Sequence, residues 1–285
     1  MYVGRFAPSP TGPLHFGSLV AALASWLDAR AAEGRWLVRI EDLDPPRAVP
    51  GAADEILRTL DRLGLGWDGP VLYQSRRSAS YEAALESLDT YWCGCTRREI
   101  ADSSIGRATD GAQIYPGTCR TGLAPGKTPR ALRLRTGGEE IAFTDRVQGP
   151  QRQILEREIG DFVLLRADGQ FAYQLAVVVD DAEQGVTDVV RGADLLDSTP
   201  RQIFLQRLLG YPMPRYLHVP AAVNEAGEKL SKQTGALPVD IERKAEELAR
   251  ALTFLGQPET DDPAQAVANW KPELIPVRRV QVAAP

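Results

Sequence analysis

The sequence predicts a parallel α/β fold, and three observations carry that expectation. Residues 1–63 read as strand, loop, helix, strand, helix. Strand and helix signals return after Arg146, beyond a stretch of different character. No uncharged apolar run nears the roughly 18 residues of a membrane span. Alternating strands and helices of this kind build parallel sheets with right-handed crossovers.

The elements follow in order. Residues 1–7 form a short buried strand. Pro8 to Gly17 is rich in Pro, Ser, Thr and Gly and is a loop. Ser18 to Ala32 is a helix with Leu19, Leu23, Trp26 and Leu27 on one side. Trp36 to Ile40 is a strand that ends at Glu41 and Asp42. Ala52 to Leu63 is a helix with Ile56, Leu57 and Leu60 inward, stopped by Gly64. Cys93 to Gly138 has little periodicity and much Gly, Thr, Arg and Pro, as expected of an insertion with its own stabiliser. Asp161 to Arg166 and Gln174 to Val179 are expected strands, the second running into Asp180 and Asp181. Val186 to Arg191 is another strand, and Pro200 to Leu209 a helix. Ile241 to Leu252 is helix-prone, and a Pro-rich tail follows.

Composition narrows the class. The chain has 285 residues, a size suited to a catalytic domain with appendages. Hydrophobic residues are 44% and charged residues 25%, which is ordinary globular usage. A net charge of −5 and a pI near 5.3 argue against coating nucleic acid over the whole surface. Local basic faces are compatible with that total. Arg97 and Arg98, Arg130, Arg133 and Arg135, and Arg278 and Arg279 form such clusters, with plain solvation as the other reading. Met1 leads directly into Tyr2 to Phe6, so no signal peptide is expected. The three cysteines are odd in number and clustered, which disfavours a secreted disulfide framework. A cytoplasmic monomer without membrane contact is expected.

Two segments carry chemistry. Arg5 to Ser18 joins a strand to a helix, where open α/β sheets place ligands. The helix start offers unpaired N–H groups and a positive dipole end to phosphate. Gly17 permits close approach to the backbone, and His15 can donate to a phosphate oxygen. Lys229-Leu230-Ser231-Lys232-Gln233 sits in a polar loop, where two lysines can neutralise charge on a leaving pyrophosphate. Each segment alone has an ordinary structural reading.

Together they resemble the HIGH and KMSKS signatures of class I aminoacyl-tRNA synthetases, as His15-Phe16-Gly17-Ser18 and Lys229-Leu230-Ser231-Lys232-Gln233. Arg5 to Gly12, Ile40 to Asp44, Gly64 to Gly69, Val177 to Asp181 and Gly185 to Gly192 are similar to glutamyl-tRNA synthetase. The likeness spans residues 2–235. Ser18 replaces the second His of HIGH, Leu230 the Met and Gln233 the final Ser of KMSKS. The retained lysines imply activity.

The resemblance implies a Rossmann-type class I synthetase catalytic domain with a small zinc-containing insertion and a short C-terminal helical region. The boundaries are 1–90 and 146–220 for the two catalytic halves, 91–145 for the insertion and 221–285 for the lysine loop and helical end. It implies ATP, with its Mg2+, against Pro8, Gly12, His15, Gly17 and Ser18 on one side. Lys229, Ser231 and Lys232 face it from the other, with His15, Lys229 and Lys232 as catalytic groups. A glutamate site needs cations for two carboxylates and an anion for the ammonium, and Arg suits a carboxylate best. The resemblance maps Arg5 and Arg191 onto carboxylate contacts, Arg191 for the side chain. Glu41 then holds the ammonium, Tyr173 donates a hydroxyl, and Ala7 and Ser9 contact the substrate backbone. The competing reading is that Arg5 and Glu41 pair with each other.

Cys93-Gly94-Cys95 and Tyr115-Pro116-Gly117-Thr118-Cys119 form the third constellation. Three thiolates suit tetrahedral zinc but leave a ligand open. Tyr115, a water or an acid such as Asp110 are candidates, and reduced cysteines without metal are the bland alternative. The Cys-x-Cys and Tyr-x-x-x-Cys pattern resembles the zinc site of glutamyl-queuosine tRNA(Asp) synthetases, truncated relatives of glutamyl-tRNA synthetase. That likeness favours Tyr115 and a structural zinc. Only 52 residues follow Gln233, too few for a separate anticodon-binding domain beside the region that supports it. The implied activity is tRNA-independent formation of glutamyl-adenylate and transfer to queuosine at the wobble position of tRNA(Asp), with the anticodon loop as partner. A core charging the 3′ end of tRNA(Glu) and a non-catalytic paralogue are the alternatives.

Overall fold

The computed structural model describes residues 1–230 and 235–283. Its elements are β1 (Val3–Phe6), α1 (Phe16–Ala31), β2 (Arg35–Ile40), α2 (Ala52–Arg62), β3 (Leu72–Tyr73), α3 (Ser78–Glu86) and β4 (Thr90–Cys93). Then come α4 (Arg97–Ser103), β5 (Ala131–Leu134), β6 (Glu140–Asp145), β7 (Gly149–Ile154), α5 (Leu155–Glu158), β8 (Val163–Leu165) and α6 (Tyr173–Glu183). The last are β9 (Asp188–Gly192), α7 (Thr199–Leu209), β10 (Arg215–Val219), β11 (Ala221–Val223), α8 (Lys244–Phe254), α9 (Pro263–Asn269) and β12 (Val280–Val282).

β1, β2 and β3 pair in parallel, and so do β9 and β10. Thr187 N donates to Val3 O at 2.9 Å, and Val3 N to Thr187 Oγ1, which sets β1 beside β9. The spatial order is therefore β3, β2, β1, β9, β10. Strand order reverses between β1 and β9, the place where such sheets leave a crevice at their C-terminal ends.

Helix α1 packs on β1 and β9 and is buried nearly all round, as a central core helix must be. Leu19, Leu23, Trp26 and Leu27 are buried as expected, and Phe16, Val20, Ala22 and Ala24 join them. The outer cover comes from α8 and α9, with Phe254 edge-on to Phe16. The predicted tail thus holds a helix and the strand β12, which pairs with β11. Asp28 of α1 accepts from Tyr2 Oη at 2.5 Å, from both Nη atoms of Arg146 and from Trp270 Nε1 at 2.9 Å.

One element differs in kind from expectation. Gln174 to Val179, read as a strand, lies inside helix α6. Leu175 to Asp181 are all buried, so the helix shows no polar face and no 3.6-residue period. Its three valines favour a strand locally, and packing against α3 and α7 overrides that. Residues 241–252 begin with a single 3-10 turn before α8. The span read as an insertion contains strand: β4 pairs with β5, and β5 with β8, which lies beyond residue 145.

Candidate active site

A cavity of about 730 Å³ opens at the C-terminal ends of β1 and β9. It is lined by Arg5, Ala7, Pro8, Ser9, Gly12, His15, Gly17, Ser18, Glu41, Tyr173, Arg191 and Lys229. Every described residue that the sequence singled out for nucleotide or glutamate lies on this one surface. Ser231, Lys232 and Gln233 fall outside the described residues.

The nucleotide-like side is the start of α1. His15 takes the N-cap position, and its carbonyl accepts from Ser18 N and Leu19 N. Ser18 Oγ lies 3.2 Å from His15 Nε2. A Cβ on Gly17 would sit 3.3 Å from the imidazole, so glycine lets the ring fold against the backbone. Gly12 adopts φ +130°, a conformation open to glycine. The loop is anchored by Glu41 N donating to Pro8 O at 2.9 Å. Before and after the undescribed residues 231–234, Leu230 N donates to Ala222 O and Val239 N to Leu14 O, each at 2.8 Å. Lys229 Nζ forms an ion pair with Asp194.

The opposite end is built from charge. Arg5 Nε donates to Asp181 Oδ1 at 3.1 Å, which directs its Nη end to the cavity. Asp181 also accepts from Arg39 Nη1 at 2.8 Å, and Arg39 Nη2 lies 3.4 Å from Glu41 Oε1. Arg5 and Glu41 therefore hold separate partners. Beneath them, Asp180 accepts from Arg77, Gln74 and Tyr81. Burial raises the Glu41 carboxyl to about 7, against the pull of Arg39 and Arg5. Burial also acts on Asp181, but Arg5 and Arg39 hold it below the usual carboxylate range.

Arg191 stands across from Arg5 at the end of β9. Its Nε donates to His218 Nε2 at 3.0 Å and its Nη1 to Tyr173 Oη at 3.3 Å. Its Nη2 donates to Thr199 Oγ1 at 2.9 Å and to Leu195 O at 3.5 Å. Among the described residues each guanidinium N–H thus has a partner except one on Nη1. Arg39, His218 and Asp145 are site residues that the sequence reading misses, and Asp181 appears there only within a family-like segment, with no role. Arg39 stands in the strand just before Glu41, so part of the signal is present in the sequence.

A family model described as the catalytic domain of class I tRNA synthetases (E and Q) matches residues 2–255. The chain belongs to this class I synthetase family. It is a ligase of the aminoacyl-tRNA synthetase type. A glutamyl-Q tRNA(Asp) synthetase of Dechloromonas aromatica is 64% identical, over 90% of this chain and 86% of that one. Its counterpart in Aromatoleum aromaticum is 58% identical, over 100% and 93%. A glutamate tRNA ligase from Elizabethkingia meningosepticum, solved with its amino acid, shares the fold. The TM-score is 0.82 at 24% identity, over 99% of this chain and 67% of that one.

In this synthetase the insertion gathers its cysteines. The Sγ atoms of Cys93, Cys95 and Cys119 all lie within 4.8 Å of one another and could hold a zinc ion. Cys95 and Cys119 Sγ are 3.6 Å apart, and Tyr115 Oη is 3.4 Å from Cys93 Sγ and 3.8 Å from Cys95 Sγ. A zinc–sulfur bond of about 2.3 Å implies tetrahedral edges of roughly 3.8 Å, so these spacings fit. Asp110, the acidic alternative, instead pairs with Arg201. No described helix is long and apolar enough to cross a membrane.

Proposed function

We propose that the chain activates glutamate with ATP, without requiring tRNA, and transfers it to queuosine at the wobble position of tRNA(Asp). The observation that carries the proposal is the cavity. It joins a helix N-terminus suited to phosphate with two arginines and a carboxylate suited to an amino-dicarboxylate. The relatives named glutamyl-Q tRNA(Asp) synthetase support the acceptor.

In this reading Glu41 takes the ammonium and Arg5 one carboxylate. The side-chain carboxylate accepts from the remaining N–H on Arg191 Nη1 and from the Tyr173 hydroxyl. Ala7 and Ser9 face the substrate backbone. The α-carboxylate attacks the α-phosphorus of ATP, and pyrophosphate leaves with its Mg2+. The nucleophile is already ionised, so no general base is needed. Catalysis is positioning plus neutralisation of charge by His15, Lys229 and Lys232. The mixed anhydride then acylates a hydroxyl of the acceptor.

Tyr115 is the proposed fourth zinc ligand. Burial and the neighbouring thiols raise its hydroxyl pKa, so a phenolate there needs a cation at the cluster centre. Arg133 Cζ, 3.8 Å from the Tyr115 ring centroid, adds positive charge on its face. The zinc supplies structural cross-linking of the insertion when bound.

Glutamate-dependent ATP–pyrophosphate exchange without tRNA, followed by locating labelled glutamate on tRNA(Asp) and on tRNA(Glu), tests the proposal. Label on queuosine is expected. Label on the 3′-terminal adenosine of tRNA(Glu) supports a charging enzyme instead, and absence of exchange supports a non-catalytic paralogue.

A further inference from the structure

His218 lies directly across the parallel pair β10–β9 from Arg191, on the same face of the sheet. It is fully buried. Its Nδ1 stands 2.6 Å from Asp145 Oδ2, at the end of β6, and its Nε2 accepts from Arg191 Nε and lies 3.3 Å from the hydroxyl of Thr199. Asp145 Oδ1 is itself occupied by the backbone N–H groups of Val147, Gln148 and His218. The carboxylate is acceptor-only, so Nδ1 carries the ring proton, and the Arg191 Nε–H, which can only donate, requires a lone pair on Nε2. An arginine cannot lose its proton, so its Nε–H needs exactly such a lone pair in this dry setting.

We infer that Asp145 and His218 are positioning residues: Asp145 sets the His218 tautomer, and His218 sets the guanidinium plane of Arg191, so that the cavity selects a carboxylate over a carboxamide. The inference rests on the proposed glutamate site. With Nε, Nη2 and one N–H of Nη1 committed, Arg191 offers its last N–H in one direction only. Tyr173 Oη accepts from Arg191, which turns the hydroxyl hydrogen away from the guanidinium, and Tyr173 lines the cavity, so that hydrogen is available to a ligand there. Two converging donors suit the two oxygens of a carboxylate. A carboxamide would bring an NH2 against one of them and leave buried donors opposed. Were Nε2 protonated, Arg191 would face a donor, and the guanidinium would have to rotate out of this plane.

Asp145→Asn tests the relay at nearly constant shape. Its Oδ1 can still accept the backbone N–H groups, but its amide would donate to Nδ1 and drive the proton to Nε2. The expected result is a KM for glutamate raised about ten- to a hundredfold in pyrophosphate exchange, with the KM for ATP unchanged and discrimination against glutamine reduced. His218→Gln, whose Oε1 can reach the Nε2 position, should recover most of what His218→Ala loses. Equal glutamate KM in the Gln and Ala variants, or ATP and glutamate KM rising together, would overturn the inference. Nitrogen NMR of the wild-type protein without ligands reads the relay by itself, since the chain has only two histidines. A buried ring protonated at Nδ1 is expected, and one protonated at Nε2 overturns the relay. Absence of glutamate-dependent exchange in the wild type would instead count against the proposed glutamate site, whatever the tautomer.

Discussion

Arg39 Nη1 lies 2.8 Å from Asp181 Oδ1, and no part of the Arg39 side chain reaches solvent. The same guanidinium faces Glu41 and Asp180. Arg39 therefore neutralises the acids under the cavity floor without lining the cavity. Replacing it with Met leaves buried carboxylates short of a cation. The expected cost is about 3–5 kcal/mol of stability, read as a lower midpoint in urea unfolding. A variant with an unchanged midpoint would contradict this role.

Glu41 gives a pH signature. Its carboxyl sits at about 7, lifted by burial. A substrate ammonium needs the ionised form, so glutamate should bind better as pH rises through 7 and worse as it falls. The KM for glutamate in pyrophosphate exchange should increase about tenfold per pH unit well below 7. Glu41→Gln should flatten this dependence while weakening binding at high pH.

His218 shapes acid stability. Burial brings its pKa down to about 4, and Arg191 adds to that, while Asp145 opposes it. An unfolded histidine takes a proton near 6.5. The stability linked to this group is full above pH 6.5 and is lost as pH drops toward 4. The loss amounts to about 3 kcal/mol. Denaturation curves between pH 7 and 4 should show it, and His218→Gln should lack that component.

The metal cluster makes a compositional prediction. Purified protein should carry about one zinc per chain, and Cys119→Ser should release it, as read by atomic emission. Gly160→Ala should disturb the same site from outside. Gly160 has φ +73°, and a Cβ there would stand 2.3 Å from Tyr115 O. Metal loss or a lowered melting temperature in this variant is expected.

The strand, loop and helix around His15 were legible because they are contiguous: composition, glycines and apolar spacing change sharply between neighbours. The same holds for the Cys-x-Cys and Tyr-x-x-x-Cys pair, whose members meet through short segments. Helix α6 was not legible, because burial on all sides erases the polar face that reveals a period. The charge web under the cavity was hidden for another reason. Arg5 meets Asp181 across 176 residues, and Arg39 is an ordinary strand residue until Asp181 arrives beside it. His218 carries no signal in the sequence, since its partners come from β6, β9 and α7.

Asp28 carries a consequence for how the molecule assembles. Its partners are Tyr2, Arg146 and Trp270, the last 242 positions away. Tyr2 and Arg146 occupy both carboxylate oxygens, and Trp270 adds the last donor, so one buried acid ties the first strand, the middle of the chain and residue 270 to the central helix. The Trp270 contact is thus a late, long-range event that fastens the outer cover to a helix already seated on its sheet. A ribosome paused before α8 would expose a chain whose central helix still lacks its outer cover and is open to chaperones.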